Sequence, residues 1–294
     1  MLYLHQIVNG IWMMDQAYAM NYLPAVTSFL KGDRNPVRPV SSSDDEQKLD
    51  RDTGVKFISL NSKSIHQVSE YGSYSSPESA PPDSIAVIEI VGAITKYDQY
   101  CGPSGMATKA NILERCFANP KIEGVCLKID SGGGQGMAMR LFADTISMRN
   151  KGVVAFVDDM ACSAAYGISA ACDKIVANSN MANIGSIGTY CTIIDFREQL
   201  KMVGIDLIEV YATASKDKNN IFREALKGNT EPLQAYVDTF NETFLQHVES
   251  SRSDLLKSDR KVWGTGKEFF GDKALEIGLI DAIDSFSNIL NHFS

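Results

Sequence analysis

From Ser84 onward, short apolar runs alternate with segments whose apolar residues recur at three-to-four spacing. Ile85-Ala-Val-Ile-Glu-Ile-Val91, Gly124-Val-Cys-Leu-Lys-Ile129 and Val153-Val-Ala-Phe-Val157 read as buried strands. Between and after them, Thr108–Ala118 (closed by Asn119-Pro120), Gly136–Arg149 and Ser163–Cys172 read as helices. Met137, Leu141, Ala143 and Met148 supply the packing side of the second. Lys174-Ile-Val-Ala177 and Thr189–Ile194 predict further strands, Phe196–Val203 a helix and Leu207-Ile-Glu-Val-Tyr211 a strand. After Pro232 a long helix carries Leu233, Val237, Phe240, Phe244 and Val248 on one stripe. Within the closing stretch Trp263–Ile283, a short helix at Lys273–Ile277 is stopped by Gly278. This alternation predicts an α/β layer fold with a parallel or mixed sheet. The pattern does not repeat, so a catalytic unit would occur once.

Upstream of Ser84 the pattern is different. Ile7, Ile11, Trp12, Met13, Met20, Leu23, Phe29 and Leu30 predict short helices in a helical extension over 1–32. Residues 33–83 contain Ser41-Ser-Ser-Asp-Asp-Glu46 and Tyr71-Gly-Ser-Tyr-Ser-Ser-Pro-Glu-Ser-Ala-Pro-Pro82. Sequence so rich in Ser, Pro and acid buries little apolar surface and predicts a linker. Val55–Leu60 is the exception, an isolated strand inside it. The expected organisation is an extension (1–32), a linker (33–83), a catalytic unit (84–285) and a C-terminal tail (286–294).

Composition narrows the function. With 294 residues and 44% hydrophobic content the chain has a real core, and a net charge of -8 argues against nucleic acid as a partner. Cys101, Cys116, Cys126, Cys162, Cys172 and Cys191 form no Cys-x-x-Cys pair and are expected as free thiols in a reducing compartment. His and Cys show no metal-ligand spacing, so neither metal nor cofactor is expected. The apolar stretch Tyr22–Leu30 is too short for a bilayer and contains Pro24, and no basic region precedes an apolar run. A cytoplasmic protein without membrane anchor or cleaved signal peptide is expected.

Candidate chemistry centres on Asp159-Met-Ala-Cys-Ser-Ala-Ala-Tyr-Gly167, where Ser163 follows an apolar strand among small residues. Ser is also a favoured helix cap. Small neighbours, however, are what a nucleophile needs for a carbonyl to approach, and the Ala164 N–H at the helix start would face the oxyanion. Ile129-Asp-Ser-Gly-Gly-Gly134 is a second strand running into small residues. It reads as a flexible turn or as a close backbone approach, with Gly133 the second oxyanion donor. No Gly-Lys-Ser/Thr follows, so it is not a phosphate-binding Walker loop.

The base is the open point. His5, His66, His247 and His292 are the four histidines, and none has a strand-end position near Ser163, so a Ser-His-Asp triad is poorly supported. A desolvated lysine can replace histidine. The candidates are Lys174, Lys201, Lys216 and Lys218. Lys216 follows the strand expected at Leu207–Tyr211, where α/β folds place active-site loops. From composition alone it reads as a solvated loop charge.

These motifs resemble the signal peptide peptidase A family. Ala161-Cys-Ser-Ala-Ala-Tyr166 is similar to its Ala-Ser-Gly-Gly-Tyr nucleophile motif, and Asn183-Ile-Gly-Ser-Ile-Gly188 to its Thr-Gly-Ser-Ile-Gly segment. Asp130-Ser-Gly-Gly-Gly134 resembles its Ser-Pro-Gly-Gly turn, with Gly132 in place of the proline. Ala164-Ala165 replaces the usual glycine pair. Trp263-Gly-Thr-Gly266 with Ala274-Leu-Glu-Ile-Gly-Leu-Ile-Asp281 resembles its ending. The resemblance covers about residues 84–285 and implies a Clp/crotonase-type β-β-α superhelical spiral and ring-like homo-oligomers. It also implies a Ser163–Lys216 dyad, because Lys216-Asp217 matches the family's Lys-Asp stretch. Ala164 and Gly133 would form the oxyanion hole, and Ser186 and Gly134 would support the site. A single-copy unit resembles the phage branch, which implies a serine endopeptidase that processes scaffold or capsid proteins in head maturation. The alternatives are a signal-peptide-degrading peptidase and a non-catalytic ring-forming assembly protein on the same fold.

Overall fold

The computed structural model describes residues 12–14, 55–60, 76–99, 102–193, 195 and 197–293. The strands are β1 (Trp12–Met14), β2 (Lys56–Ser59), β3 (Ser84–Val91), β4 (Ile122–Ser131) and β5 (Gly133–Gln135). They continue with β6 (Gly152–Cys162), β7 (Lys174–Ala177), β8 (Asn183–Gly185), β9 (Glu268–Phe270) and β10 (Ala282–Ile283). The helices are α1 (Met106–Ala118), α2 (Gly136–Ser147), α3 (Ala164–Ala170), α4 (Arg197–Met202), α5 (Asn220–Leu226), α6 (Glu231–Arg252), α7 (Arg260–Trp263) and α8 (Gly271–Ile277).

Eight strands form one mixed sheet in the order β10-β7-β6-β4-β3-β2, with β8 branching from β6 to β9. The pairs β3–β4, β4–β6, β6–β7 and β7–β10 are parallel. The long strand β6 makes the branch possible. Its first half, Val154–Val157, pairs with β7, and its last three residues, Met160–Cys162, pair with β8. The site therefore lies at the end of a strand held by two neighbours at different heights.

Alternation along the strands sends side chains to two cores. Ala86, Ile88, Ile90, Val125, Leu127, Ile129, Val153, Ala155 and Val157 join the larger one, packed with α1, α2, α3 and the second half of α6. Their neighbours Ile85, Val87, Cys126, Val154 and Phe156 point to the opposite face. There Ile289, Phe286, Leu290 and Phe293, from the 3-10 helix Phe286–His292 and the residue after it, cover the sheet.

Several expectations need correction. The strand expected near Val55–Leu60 is not isolated: β2 pairs antiparallel with β3 and buries Phe57 and Ile58. Within the extension expected to be helical, residues 12–14 form a strand on β5, and the rest of 1–32 lies outside the described residues. Three residues gain backbone partners along an open strand edge, and a helix that short gains none. In place of a strand at Thr189–Ile194, the chain forms β8 at Asn183–Gly185, and Tyr190 makes only a bridge. Leu207–Tyr211 is not a strand either. No strand among the described residues pairs with it, and Ile208 and Val210 are 86% and 89% exposed. An extended segment without a ladder partner has nothing to hold it in a sheet. The stripe on α6 is half used: Phe244 and Val248 are buried, and Leu233 and Val237 are only partly covered. Among the described residues no helix is long and apolar enough to cross a membrane.

Candidate active site

Ser163 sits between the end of β6 and the start of α3 with φ 55 and ψ −120. A left-handed φ is costly for a residue with a Cβ and persists only where its surroundings impose it. Here both sides are fixed. The Ser163 N–H donates to the Gly185 carbonyl at 2.7 Å, extending the β6–β8 ladder, and its carbonyl accepts from the Gly167 N–H at 3.0 Å. Tyr166 anchors the helix, its buried hydroxyl donating to the Leu279 carbonyl at 2.9 Å. Ala161, Cys162, Ala164 and Ala165 are fully buried, so only small side chains fit at this turn. The Ser163 hydroxyl is buried and has no hydrogen-bond partner among the described residues. A buried polar oxygen left unpaired is destabilising and marks a site of strain or chemistry. Ala164 is the first residue of α3, and helix geometry leaves its N–H without an intrahelical acceptor.

The glycine turn lies alongside. Ser131 on β4 pairs with Ala161 on β6, so Gly133 and Ser163 each lie two residues past a paired position. Gly133 has φ 103, which glycine adopts without strain. Its N–H donates to the Ser131 hydroxyl at 3.1 Å, and that hydroxyl donates to the Gly92 carbonyl at 2.6 Å. As an oxyanion donor, Gly133 would have to exchange or share this internal bond. At Gly134 a Cβ would stand 2.1 Å from the Ile94 carbonyl oxygen, so only glycine lets the two backbones meet. Burial raises the Asp130 carboxyl pKa at the end of β4, and the nearby charges of Asp159 and Asp158 push the same way.

Two further motifs meet at the other side of Ser163. Asn183–Gly185 pairs with Glu268–Phe270, the Ser186 N–H donates to the Lys267 carbonyl at 2.8 Å, and the Gly266 N–H to the Ile187 carbonyl at 2.9 Å. Ser186 carries a left-handed φ of 50 next to the residue that receives the Ser163 N–H. The ending motif is structural. Arg252 of α6, 1% exposed, donates from both terminal nitrogens to Asp281 at 3.0 and 2.8 Å. Asp281 also accepts the Ile175 N–H of β7 at 2.7 Å.

Among the described residues no base is within hydrogen-bond reach of the Ser163 hydroxyl. Lys216 ends a 3-10 turn (Thr213–Ser215) and is exposed, its carbonyl accepting from Arg223 at 2.5 Å. Lys201 and Lys218 are also exposed, and Lys174 opens β7 half-buried. His247 reaches the neighbourhood but not the hydroxyl: its Nε2 is 2.8 Å from the Gly167 carbonyl, and burial lowers its pKa. His292 pairs with Asp284 at 3.1 Å, and His5 and His66 lie outside the described residues. Cys116, Cys126, Cys162, Cys172 and Cys191 are not joined in disulfides, and Cys101 lies outside the described residues. Burial holds the Cys116 thiol pKa up at about 12. Sequence reasoning missed the Ser131 bridge and the strand β1, since neither a single serine nor three apolar residues announces its hydrogen-bond partners.

Comparison with known proteins agrees with this assembly of motifs. Protease 4 of Haemophilus influenzae is 27% identical over 213 residues, covering 71% of this chain and 34% of that protein. Capsid assembly protease C of Escherichia phage lambda is 26% identical over 211 residues, covering 68% of this chain and 46% of that protein. The chain thus spans less than half the length of either relative. The model of peptidase family S49 matches residues 146–294, just over half of the chain, from the end of α2 through the Ser163 turn to the C-terminus. With the four motifs folded together around Ser163, the chain belongs to peptidase family S49.

Proposed function

We propose that the protein is a serine endopeptidase with Ser163 as nucleophile and Lys216 as general base. The observation that carries this reading is the Ser163 hydroxyl, unpartnered at a left-handed strand-to-helix turn. Lys216 takes the Ser163 proton as the hydroxyl attacks a peptide carbonyl. The N–H groups of Ala164 and Gly133 receive the oxyanion, the latter by releasing Ser131. Protonated Lys216 then gives its proton to the leaving amine, and water hydrolyses the acyl-enzyme. Ser186, next to the Gly185 carbonyl that holds Ser163, supports the lysine, and Gly134 keeps the turn close. The reaction uses no metal or cofactor.

Lys216 is exposed in the single chain, so a second copy of the chain is the proposed source of the lysine and of its desolvation. The exposed apolar run Ile205, Leu207, Ile208 and Val210, just before Lys216, supports an oligomer in which this segment finds a partner. The branching of β8 from β6 to β9 supports a Clp/crotonase-type spiral, and the ring of such chains is proposed on the resemblance of the motifs alone. We read residues 84–285 as the catalytic unit, to which β2 from the 33–83 linker adds an edge strand and the 286–294 tail a cover. The substrate proposed is a phage scaffold or capsid protein, on the similarity to capsid assembly protease C. The proposed setting is cytoplasmic. A fluorophosphonate probe tests the nucleophile: it should label the native protein at Ser163 and leave a folded Ser163→Ala variant unlabelled. Equal labelling of both would refute the assignment.

A further inference from the structure

Strand β5 has two edges. On one, the Ile94 N–H donates to the Gly133 carbonyl at 2.9 Å and the Gln135 N–H donates to the Ile94 carbonyl at 2.8 Å. Backbone groups alternate along a strand, so the N–H and carbonyl of Gly134 face the opposite edge. There β1 runs antiparallel, with Trp12 opposite Gln135, Met13 opposite Gly134 and Met14 opposite Gly133. β5 also packs against α3, the helix that Ser163 opens. An extended backbone on this edge therefore runs beside the nucleophile turn.

We propose that Trp12–Met14 is a tethered occupant of the peptide-docking edge of β5, so that the N-terminal region of this chain holds the place an extended substrate must take. The inference rests on the peptidase reading above. Three features favour a displaceable occupant over a structural strand. β1 and β5 form a two-stranded sheet of three residues each, separate from the eight-stranded sheet, and such a ribbon is marginal by itself. The contact is strand addition to an open edge, in which main-chain bonds supply the affinity and nearly any extended peptide can compete. With β1 on this edge, Ser163 is 1% exposed. Tethering makes the competition intramolecular, so the strand acts at an effective concentration that free peptide must exceed.

The test uses the full chain with Met13→Pro, which removes the N–H facing Gly134 and blocks the pairing, and Met13→Val as the control that keeps it. The Gly134 amide should exchange slowly with deuterium in the native and Met13→Val proteins and faster in Met13→Pro. Peptide cleavage by Met13→Pro should show a KM lower by about tenfold at unchanged kcat, the change that two ordinary backbone hydrogen bonds carry. A synthetic peptide of residues 9–17 should inhibit Met13→Pro competitively. Gly134 exchange that is the same in all three proteins overturns the inference, as does faster exchange with an unchanged KM. Absence of proteolysis in every form counts against the Ser163–Lys216 reading, and Gly134 exchange then decides the inference alone.

Discussion

Ser163 combines a left-handed φ with a buried hydroxyl that has no partner among the described residues, and both features cost stability. A residue kept at such a cost is expected to trade stability for activity. Ser163→Ala should therefore abolish proteolysis while leaving the fold as stable as the native protein or more stable by up to ~1 kcal/mol. Urea denaturation of both proteins checks this. A marked loss of stability would identify Ser163 as an ordinary structural cap. His247 gives the pH prediction. Burial lowers its pKa below the ordinary 6.5, so the unfolded chain binds the proton first as pH falls. Stability should be unaffected above about pH 6.5 and should fall as pH drops through that value toward the folded pKa. His247→Gln should flatten this slope in thermal melts at pH 5 to 7 without abolishing activity. Ser163 was legible in the sequence because small residues crowd around it after an apolar strand. Its backbone conformation was not, since serine is equally at home as a helix cap. Lys216 came from motif similarity, because a loop lysine carries no local sign of what will desolvate it.

At the scale of elements, the buried join between α6 and β7 is a second point of leverage. Arg252 has Asp281 as its carboxylate partner and otherwise donates to the Gly278 carbonyl. Asp281→Ala would leave a buried guanidinium without its counter-charge and the Ile175 N–H without an acceptor. The expected loss is ~3 kcal/mol or more, seen as a lower urea midpoint with unchanged slope. A change below ~1 kcal/mol would mean that water reaches Arg252 readily. The central strands β3, β4 and β6 were readable because each is a continuous apolar run buried on both faces. The short ones were not. β8 is three residues whose place is set by β6 and β9, and the apolar pattern of Thr189–Ile194 outscored it. Trp12–Met14 shows the same limit, since a few apolar residues read alike as helix or strand until a partner edge selects one. At Leu207–Tyr211 the apolar alternation is strand-like, and among the described residues no strand pairs with it.

For the whole molecule, the unfinished parts are the exposed run Ile205–Val210, the half-used stripe of α6 and Lys216. The proposed nucleophile, the glycine turn and the supporting strands are assembled within one chain, and the proposed base is not beside Ser163. A second copy that covers the apolar run would bring burial to Lys216 and a lysine to Ser163 in one step. The most direct test is complementation. Ser163→Ala and Lys216→Ala proteins, each inactive alone, are mixed and reassembled in equal amounts, and peptide cleavage is measured alongside sedimentation. The account predicts recovery to roughly a quarter of native activity, the share of head-to-tail interfaces that join an intact Ser163 to an intact Lys216. Full activity of a sedimenting native monomer, or no recovery in a confirmed mixed oligomer, would contradict it.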